Sequence, residues 1–420
     1  MRSLRPLAPY RRVLAQRPFA ALWAAQAISN VGDALYNVAL LWYVLDRTGS
    51  ALAAGGIAVA AGVGGTLGGL AAAACLDRLP PRRVLLVADG ARLVATAAVA
   101  LPWLLGAAPP LAFLYALAAT GAVAGAWHGP ARAATMPRVV PPGDLVAANA
   151  LEGVAANLTN TLVWALSGAV VAVLGPAAAL ALDAATFFAA FLAIRAVALP
   201  GPVVGTRARP SAHRAEVLAG FRAIGATPAL RGFFGLLPLH ALAGGCFFAG
   251  LAPFLRQQLG GGAALYGLQG AAYGTGIVLA SALLGAAATR RVGPLYADGV
   301  LVNALGNVGF ALAPSVPALL AAALVAGLGV AALAIGELAL LQTVAPPASR
   351  GRILALATLL GGGLFPVGVA LGGWLADGWR AQPVLLVAAL VHVALGLRLP
   401  ASPALRAVAS ADGGPADPRR

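Results

Sequence analysis

Long apolar runs, each broken by a few polar residues, organise this chain from end to end. They cover approximately residues 19–45, 51–75, 83–106, 111–135, 147–173 and 177–198, then 232–255, 265–288, 295–313, 317–342, 353–376 and 382–398. Each is near or above the ~20 residues that a helix needs to cross a bilayer. The pattern predicts twelve transmembrane helices in two sets of six, separated by a polar stretch from Pro200 to Arg231. The predicted organisation is an N-terminal six-helix bundle over 1–199, a cytoplasmic connector over 200–231, a C-terminal bundle over 232–399, and a disordered cytoplasmic tail over 400–420 rich in Ala, Gly, Pro and Asp.

Composition removes the competing classes. Of 420 residues, 60% are hydrophobic and 10% charged, against roughly 45–50% and about 25% in a soluble domain. The fold class is therefore an all-α polytopic membrane protein. The formal charge of +15 comes from arginine, with no lysine in the chain. The arginines sit in short islands between apolar runs, a topology signal and not a nucleic-acid surface. With the N-terminus inside, cytoplasmic segments and span ends hold 24 of the 28 arginines, and only Arg47, Arg256 and Arg380 lie outside. Both termini are placed in the cytoplasm. Cys75 and Cys246 show neither a CxxC spacing nor histidine neighbours, and the four histidines are scattered, so no metal site is expected. The glycine run from Gly62 to Gly69 lacks the Lys-Ser/Thr ending of a phosphate loop, so neither nucleotide nor any other cofactor is expected. Those glycines, with Gly361–Gly363, Gly372 and Gly373, read as close helix packing.

A repeat appears in the loops. The chain reads A-A-A-A-C-L-D-R-L-P-P-R-R after the second span and G-A-A-A-T-R-R-V-G-P after the eighth. Parallel six-helix halves of this kind build alternating-access carriers. The text A-Q-A-I-S-N-V-G-D-A-L-Y-N-V-A-L-L-W-Y-V-L-D-R-T-G from Ala25, the loop L-D-R-L-P-P-R-R, the stretch G-P-A-R-A-A-T-M-P-R-V-V, the span-six text L-D-A-A-T-F-F and the loop V-A-P-P-A-S-R-G-R complete the picture. Together they resemble the major facilitator superfamily, in its bacterial branch of drug, macrolide and siderophore exporters. The resemblance implies a transporter and no enzyme, acting as a monomer on a small-molecule substrate, with protons and the lipid bilayer as its other partners. It also implies a cytoplasmic gate at Asp77, Arg78, Arg82 and Arg83, although Ala73, Pro80 and Pro81 replace residues of the family's loop motif. The stretch from Val163 to Gly168 keeps only the last glycine of the antiporter signature of span five. Proton-coupled efflux of an amphipathic compound and an uncoupled facilitator for a lysolipid or metabolite both stay open, and a receptor on the same scaffold is the distant third.

Intramembrane polar residues supply the chemistry. Asp33 lies about 14 residues into span one, roughly 21 Å along a helix and so near the bilayer midplane. An acid there costs about 2.5–3.5 kcal/mol unless it meets water, a partner or a proton. With Asn30 and Asn37 it forms an i, i+3, i+7 stripe, which serves either proton and substrate binding or helix packing. Asp89 and Arg92, at i and i+3 on span three, are expected to pair with each other. Glu152 is a second proton-coupling candidate, within reach of Arg132 or Arg138. Candidate cavity residues are Asn157, Asn160 and Trp164 on span five, His240, Phe247 and Phe248 on span seven, and Tyr266, Gln269 and Tyr273 on span eight. Asp183 in span six, and Glu337 with Gln342 in span ten, receive no role from the sequence.

Overall fold

The computed structural model describes residues 8–76, 79–158, 162–199, 220–287, 292–347 and 349–399. The described residues are helical apart from short turns. In chain order the helices are α1 (Ala8–Leu14), α2 (Arg17–Thr48), α3 (Ala51–Cys75), α4 (Pro81–Leu104), α5 (Leu111–Val139), α6 (Leu145–Leu158), α7 (Trp164–Arg195), α8 (Pro228–Leu259), α9 (Ala263–Ala287), α10 (Val292–Ala311), α11 (Val316–Val344), α12 (Arg350–Gly378) and α13 (Ala381–Arg398). Among the described residues, nine helices are long and apolar enough to cross a membrane by length and composition. α2 and α10 fall outside that group, although at 32 and 20 residues they have the length. Asp33, Asp46, Arg47 and three amides lower the hydropathy of α2, and Asp298, Asn303 and Asn307 that of α10.

One helix is two passes. Within α7, Gly175 adopts φ 80° and ψ 166°, followed by Pro176. That backbone geometry is open to glycine and strained for other residues, and the proline that follows cannot donate a helical hydrogen bond. The break divides α7 into an arm ending at Leu174 and an arm from Pro176 to Arg195. The first arm together with α6 covers the expected fifth span, and the second arm is the sixth. With α2 and α10 included, the described helices then supply the twelve crossings.

The chain separates into two compact units. One contains Met1–Gly49, Gly56–Thr206 and Gly262–Gly267, the other Ser50–Gly55, Arg207–Gly261 and Leu268–Arg420. In the first unit α7 packs against α2 and α4, and α4 against α5. In the second, α8 packs against α12 and α13, and α10 against α11 and α13. Spans one, three, four, five and six are thus matched by their counterparts six spans later, the arrangement of a parallel repeat. The first turn of α3 joins the second unit through Asp377 of α12, which accepts hydrogen bonds from Ser50 Oγ at 2.5 Å, Ala51 N at 2.5 Å and Leu52 N at 3.2 Å. A carboxylate there satisfies otherwise orphaned donors and complements the helix dipole.

Small residues set the helix spacing, again in repeated positions. A Cβ on Gly64 would stand 2.3 Å from the Ala119 carbonyl oxygen of α5, and one on Gly276 of α9 2.1 Å from the Leu324 carbonyl oxygen of α11. Gly372 and Gly373 pack as closely, with ideal Cβ positions 2.4 Å from Cys246 Cα and 2.7 Å from Leu52 Cα. The run Gly361–Gly363 does not: a Cβ on Gly362 or Gly363 meets nothing within 4 Å, and one on Gly361 only the tip of Leu237. The expectation of close packing there is corrected, because consecutive glycines face different directions around a helix and cannot all reach one neighbour.

Candidate functional site: an ionisable cluster inside the first unit

Four helices of the first unit bring ionisable side chains together in the apolar layer. From α2, Asp33 accepts a hydrogen bond and ion pair from Arg92 Nη2 of α4. The guanidinium lies over the Phe187 ring of α7, its carbon 4.3 Å from the ring centroid. Asp89, one turn earlier on α4, is 1% exposed and has its Oδ1 3.5 Å from Nε2 of His128 on α5. Asp183 of α7 is equally buried, and neither of its carboxylate oxygens has a hydrogen-bond partner.

The expected pairing of Asp89 with Arg92 is therefore corrected. Arg92 turns to Asp33 on the neighbouring helix, and Asp89 to His128. A long arginine side chain on a packed helix can reach across to a neighbour, and here a carboxylate stands across from it with an aromatic ring beneath the cation. Such a choice depends on which helix lies alongside, information that i, i+3 spacing does not contain.

The polar stripe of α2 resolves into three different situations. Asn30 Oδ1 accepts from Gln26 Nε2 at 2.7 Å, and Asn37 Nδ2 donates to the Asp33 backbone carbonyl at 2.7 Å. Both amides bond within their own helix, whereas the Asp33 carboxylate bonds to another helix. Its side chain keeps 32% exposure and that of Arg92 18%, so the pair borders accessible space.

A second ion pair lies between α5 and α6. Arg132 donates Nη1 to Glu152 Oε1 and Nη2 to Oε2, both at 2.7 Å, a bidentate fork. Trp23 of α2 donates Nε1 to the Leu151 carbonyl at 3.0 Å beside it. We expect Glu152→Leu to lower the unfolding free energy in detergent by about 2–3 kcal/mol, because it strands a half-buried guanidinium. A loss under about 0.5 kcal/mol would show that water replaces the partner.

The remaining predicted residues are distributed as follows. Tyr266 is buried in the first unit, its ring 6.1 Å from Trp164 and 6.3 Å from Trp42. Phe247 is buried against Phe310 at 5.8 Å, and Phe248 stands 5.7 Å from Phe365. His240 stacks edge-on to His392 at 4.7 Å, and its backbone carbonyl lies 3.2 Å from His392 Nε2. Gln269 is buried, whereas Tyr273 is half-buried. Phe247 and His240 are thus packing residues of their unit. Of the gate residues, Arg82 donates Nη2 to the Arg195 carbonyl at 2.6 Å, occupying an orphan acceptor at the end of α7, and Arg83 is exposed. Asp77, Arg78, Asn160 and the side chain of Asn157 lie outside the described residues.

Sequence reasoning missed His128 and left Asp183 without a role. The signal for Asp183 was available, as an acid in the middle of a span costs about 2.5–3.5 kcal/mol and needs an explanation. His128 carried no comparable signal, since a lone histidine is unremarkable until Asp89 stands beside it.

Comparison with known proteins places this arrangement. Residues 5–418 match the family model described as transmembrane secretion effector. An uncharacterized MFS-type transporter, y4rN of Sinorhizobium fredii, is 27% identical over 84% of this chain and 87% of its own length. The multidrug efflux pump Tap of Mycobacterium tuberculosis is 29% identical over 92% of this chain and 93% of its own. In fold, the chain is similar to a POT family transporter crystallised with 5-aminolevulinic acid, with TM-score 0.73 at 12% identity over 93% of this chain and 97% of that one. It is likewise similar to a bacterial homologue of the lysosomal transporter Spinster, with TM-score 0.67 at 15% identity over 95% and 96%. The match to a family model along nearly the whole length, on twelve crossings in two repeated halves, makes this chain a transporter of the major facilitator superfamily, in the transmembrane secretion effector family.

Proposed function

We propose that the protein exports an amphipathic small molecule across a bacterial cytoplasmic membrane in exchange for protons, with both termini in the cytoplasm and the monomer as the working unit. The observation that carries this reading is the Asp33–Arg92 pair, which lies in the apolar layer, borders accessible space and is surrounded by further acids. Protonation of Asp33 would remove its charge and release Arg92, so proton binding and helix contacts are linked through one side chain. One proton crossing 100 mV releases about 2.3 kcal/mol, enough to sustain a modest concentration gradient. Glu152 is the second coupling candidate, its proton uptake opening the Arg132 fork in the same way. Within the first unit, Trp164 supplies aromatic surface, and Asn30 and Asn37 amide groups, suited to a ligand with apolar and polar parts. The Tap relatives support export of such compounds, being multidrug efflux pumps by name. Asp77 with Arg78, Arg82 and Arg83 would latch the cytoplasmic end.

The test is proton movement in proteoliposomes under an imposed pH gradient, with a panel of amphipathic compounds and lumenal pH as the readout. Wild type should show compound-dependent proton flux, and Asp33→Asn should fold normally and lose it. Compound movement with no proton signal in the wild type would replace this reading with an uncoupled facilitator.

A further inference from the structure

We propose that Asp183 is a second proton-binding group of the transport cycle, exchanging with Asp33 as the partner of Arg92; the inference rests on the proton-coupled reading above. Three features of one face of α7 support it. The Asp183 carboxylate is 1% exposed and its oxygens accept no hydrogen bond, an expensive position for a charged group and an acceptable one for a neutral acid. It is lodged in a notch of α2 that only glycine leaves open: a Cβ on Gly32 would stand 2.3 Å from Asp183 Oδ1 and 2.1 Å from Thr186 Oγ1. That notch adjoins Asp33 in sequence. Phe187, which carries the Arg92 guanidinium, is four residues from Asp183 and so one turn along the same face.

The groups that face Asp183 are few. Asp33 and Tyr36 of α2 and Arg92 of α4 lie within electrostatic range, and Thr186 stands beside it on α7 with its hydroxyl donating to the Asp183 backbone carbonyl at 2.7 Å. Asp89 of α4 and His128 of α5 are engaged with each other. Around Arg92 there are thus, besides Asp89, two acids for one permanent cation. In one state Asp33 is the carboxylate paired with Arg92, and Asp183 holds a proton. In the other Arg92 pairs with the Asp183 carboxylate, and Asp33 holds a proton. Passing from the first to the second takes up one proton at Asp33 and releases one from Asp183, while the total charge of the three groups stays at zero. A charge-neutral exchange of this kind avoids leaving an uncompensated ion in the apolar layer in either state.

Dicyclohexylcarbodiimide adds to protonated carboxylic acids in apolar surroundings and leaves a stable acylurea, so it reads the state of Asp183 in the folded wild-type protein without any substrate. The purified, lipid-embedded protein should be labelled on the peptide carrying Asp183 at neutral pH, and infrared spectra should show the carbonyl stretch of a protonated acid that Asp183→Asn removes. The sharper arm is Asp33→Asn. That variant deprives Arg92 of its first partner, so Arg92 should move to Asp183, and both the label and the band at Asp183 should be lost although Asp183 is unchanged. An unlabelled Asp183 in the wild type, or a label that persists undiminished in Asp33→Asn, overturns the exchange. The wild-type and Asp33→Asn arms do not depend on an Asp183 variant folding. The predicted labelling pattern in a wild type that moves no protons with any compound would sink the proton-coupled reading alone.

Discussion

Arg92→Leu is expected to be the most damaging replacement of a charged side chain in the first unit, lowering the unfolding free energy in detergent by about 3 kcal/mol. The leucine itself is well suited to an apolar layer. The loss comes from Asp33, whose carboxylate is left without the cation it faces, and from the disappearance of a permanent positive charge within electrostatic range of Asp183. Partial exposure of the pair, at 18% and 32%, keeps the figure at the lower end of the range for broken buried pairs. A double-mutant cycle makes the claim specific. Adding Asp33→Asn to Arg92→Leu removes the stranded charge and should restore about 2 kcal/mol of the loss. Thermal unfolding of the four variants is the measurement. Strict additivity would mean that the two side chains do not interact, and the assignment of Arg92 to Asp33 would fail with it.

In the second unit the largest effect is expected at a residue with no side chain. A Cβ on Gly327 of α11 would stand 2.0 Å from the Tyr273 carbonyl oxygen of α9, against an ordinary contact of about 3.5 Å, so any substitution must drive two backbones apart. Flexible side chains can step aside, but a helical carbonyl moves only with its helix. Gly327→Val should therefore cost about 3 kcal/mol or more, at the upper end for overpacking, and reduce the yield of folded protein. Gly363→Val is the control, since a Cβ there meets nothing within 4 Å, and its effect should stay within about 0.5 kcal/mol. Equal losses at the two positions would mean that valine's helix propensity, and not the α9–α11 contact, sets the cost.

The sequence was legible where physics is one-dimensional. A bilayer needs about 20 apolar residues per crossing and retains arginine on one side, and both requirements are written in runs and islands along the chain. The twelve spans, the two halves and the repeat followed from them, as did the position of the Gly175–Pro176 break, which falls between the expected fifth and sixth spans. That Asp33 needs a partner was equally legible, because an acid in the middle of a span needs a reason wherever the neighbouring helices lie.

Partner choice was not legible. Asp89 and Arg92 stand at helical spacing and read as a pair, but Asp33 of α2 and His128 of α5 claim them, since α4 packs between helices whose approach the spacing does not encode. The Gly361–Gly363 run looks like a packing surface, yet a Cβ on Gly362 or Gly363 meets open space, whereas Gly32 and Gly327 are among the positions where helices touch. The chain by itself determined the number of crossings, roughly where each lies, and which carry ionisable groups, because burial in lipid and backbone hydrogen bonding act residue by residue. Only the tertiary structure decided which acid meets which base and which is left without a partner. Those contacts depend on helix rotation and separation, and these are set by side chains distant in the sequence.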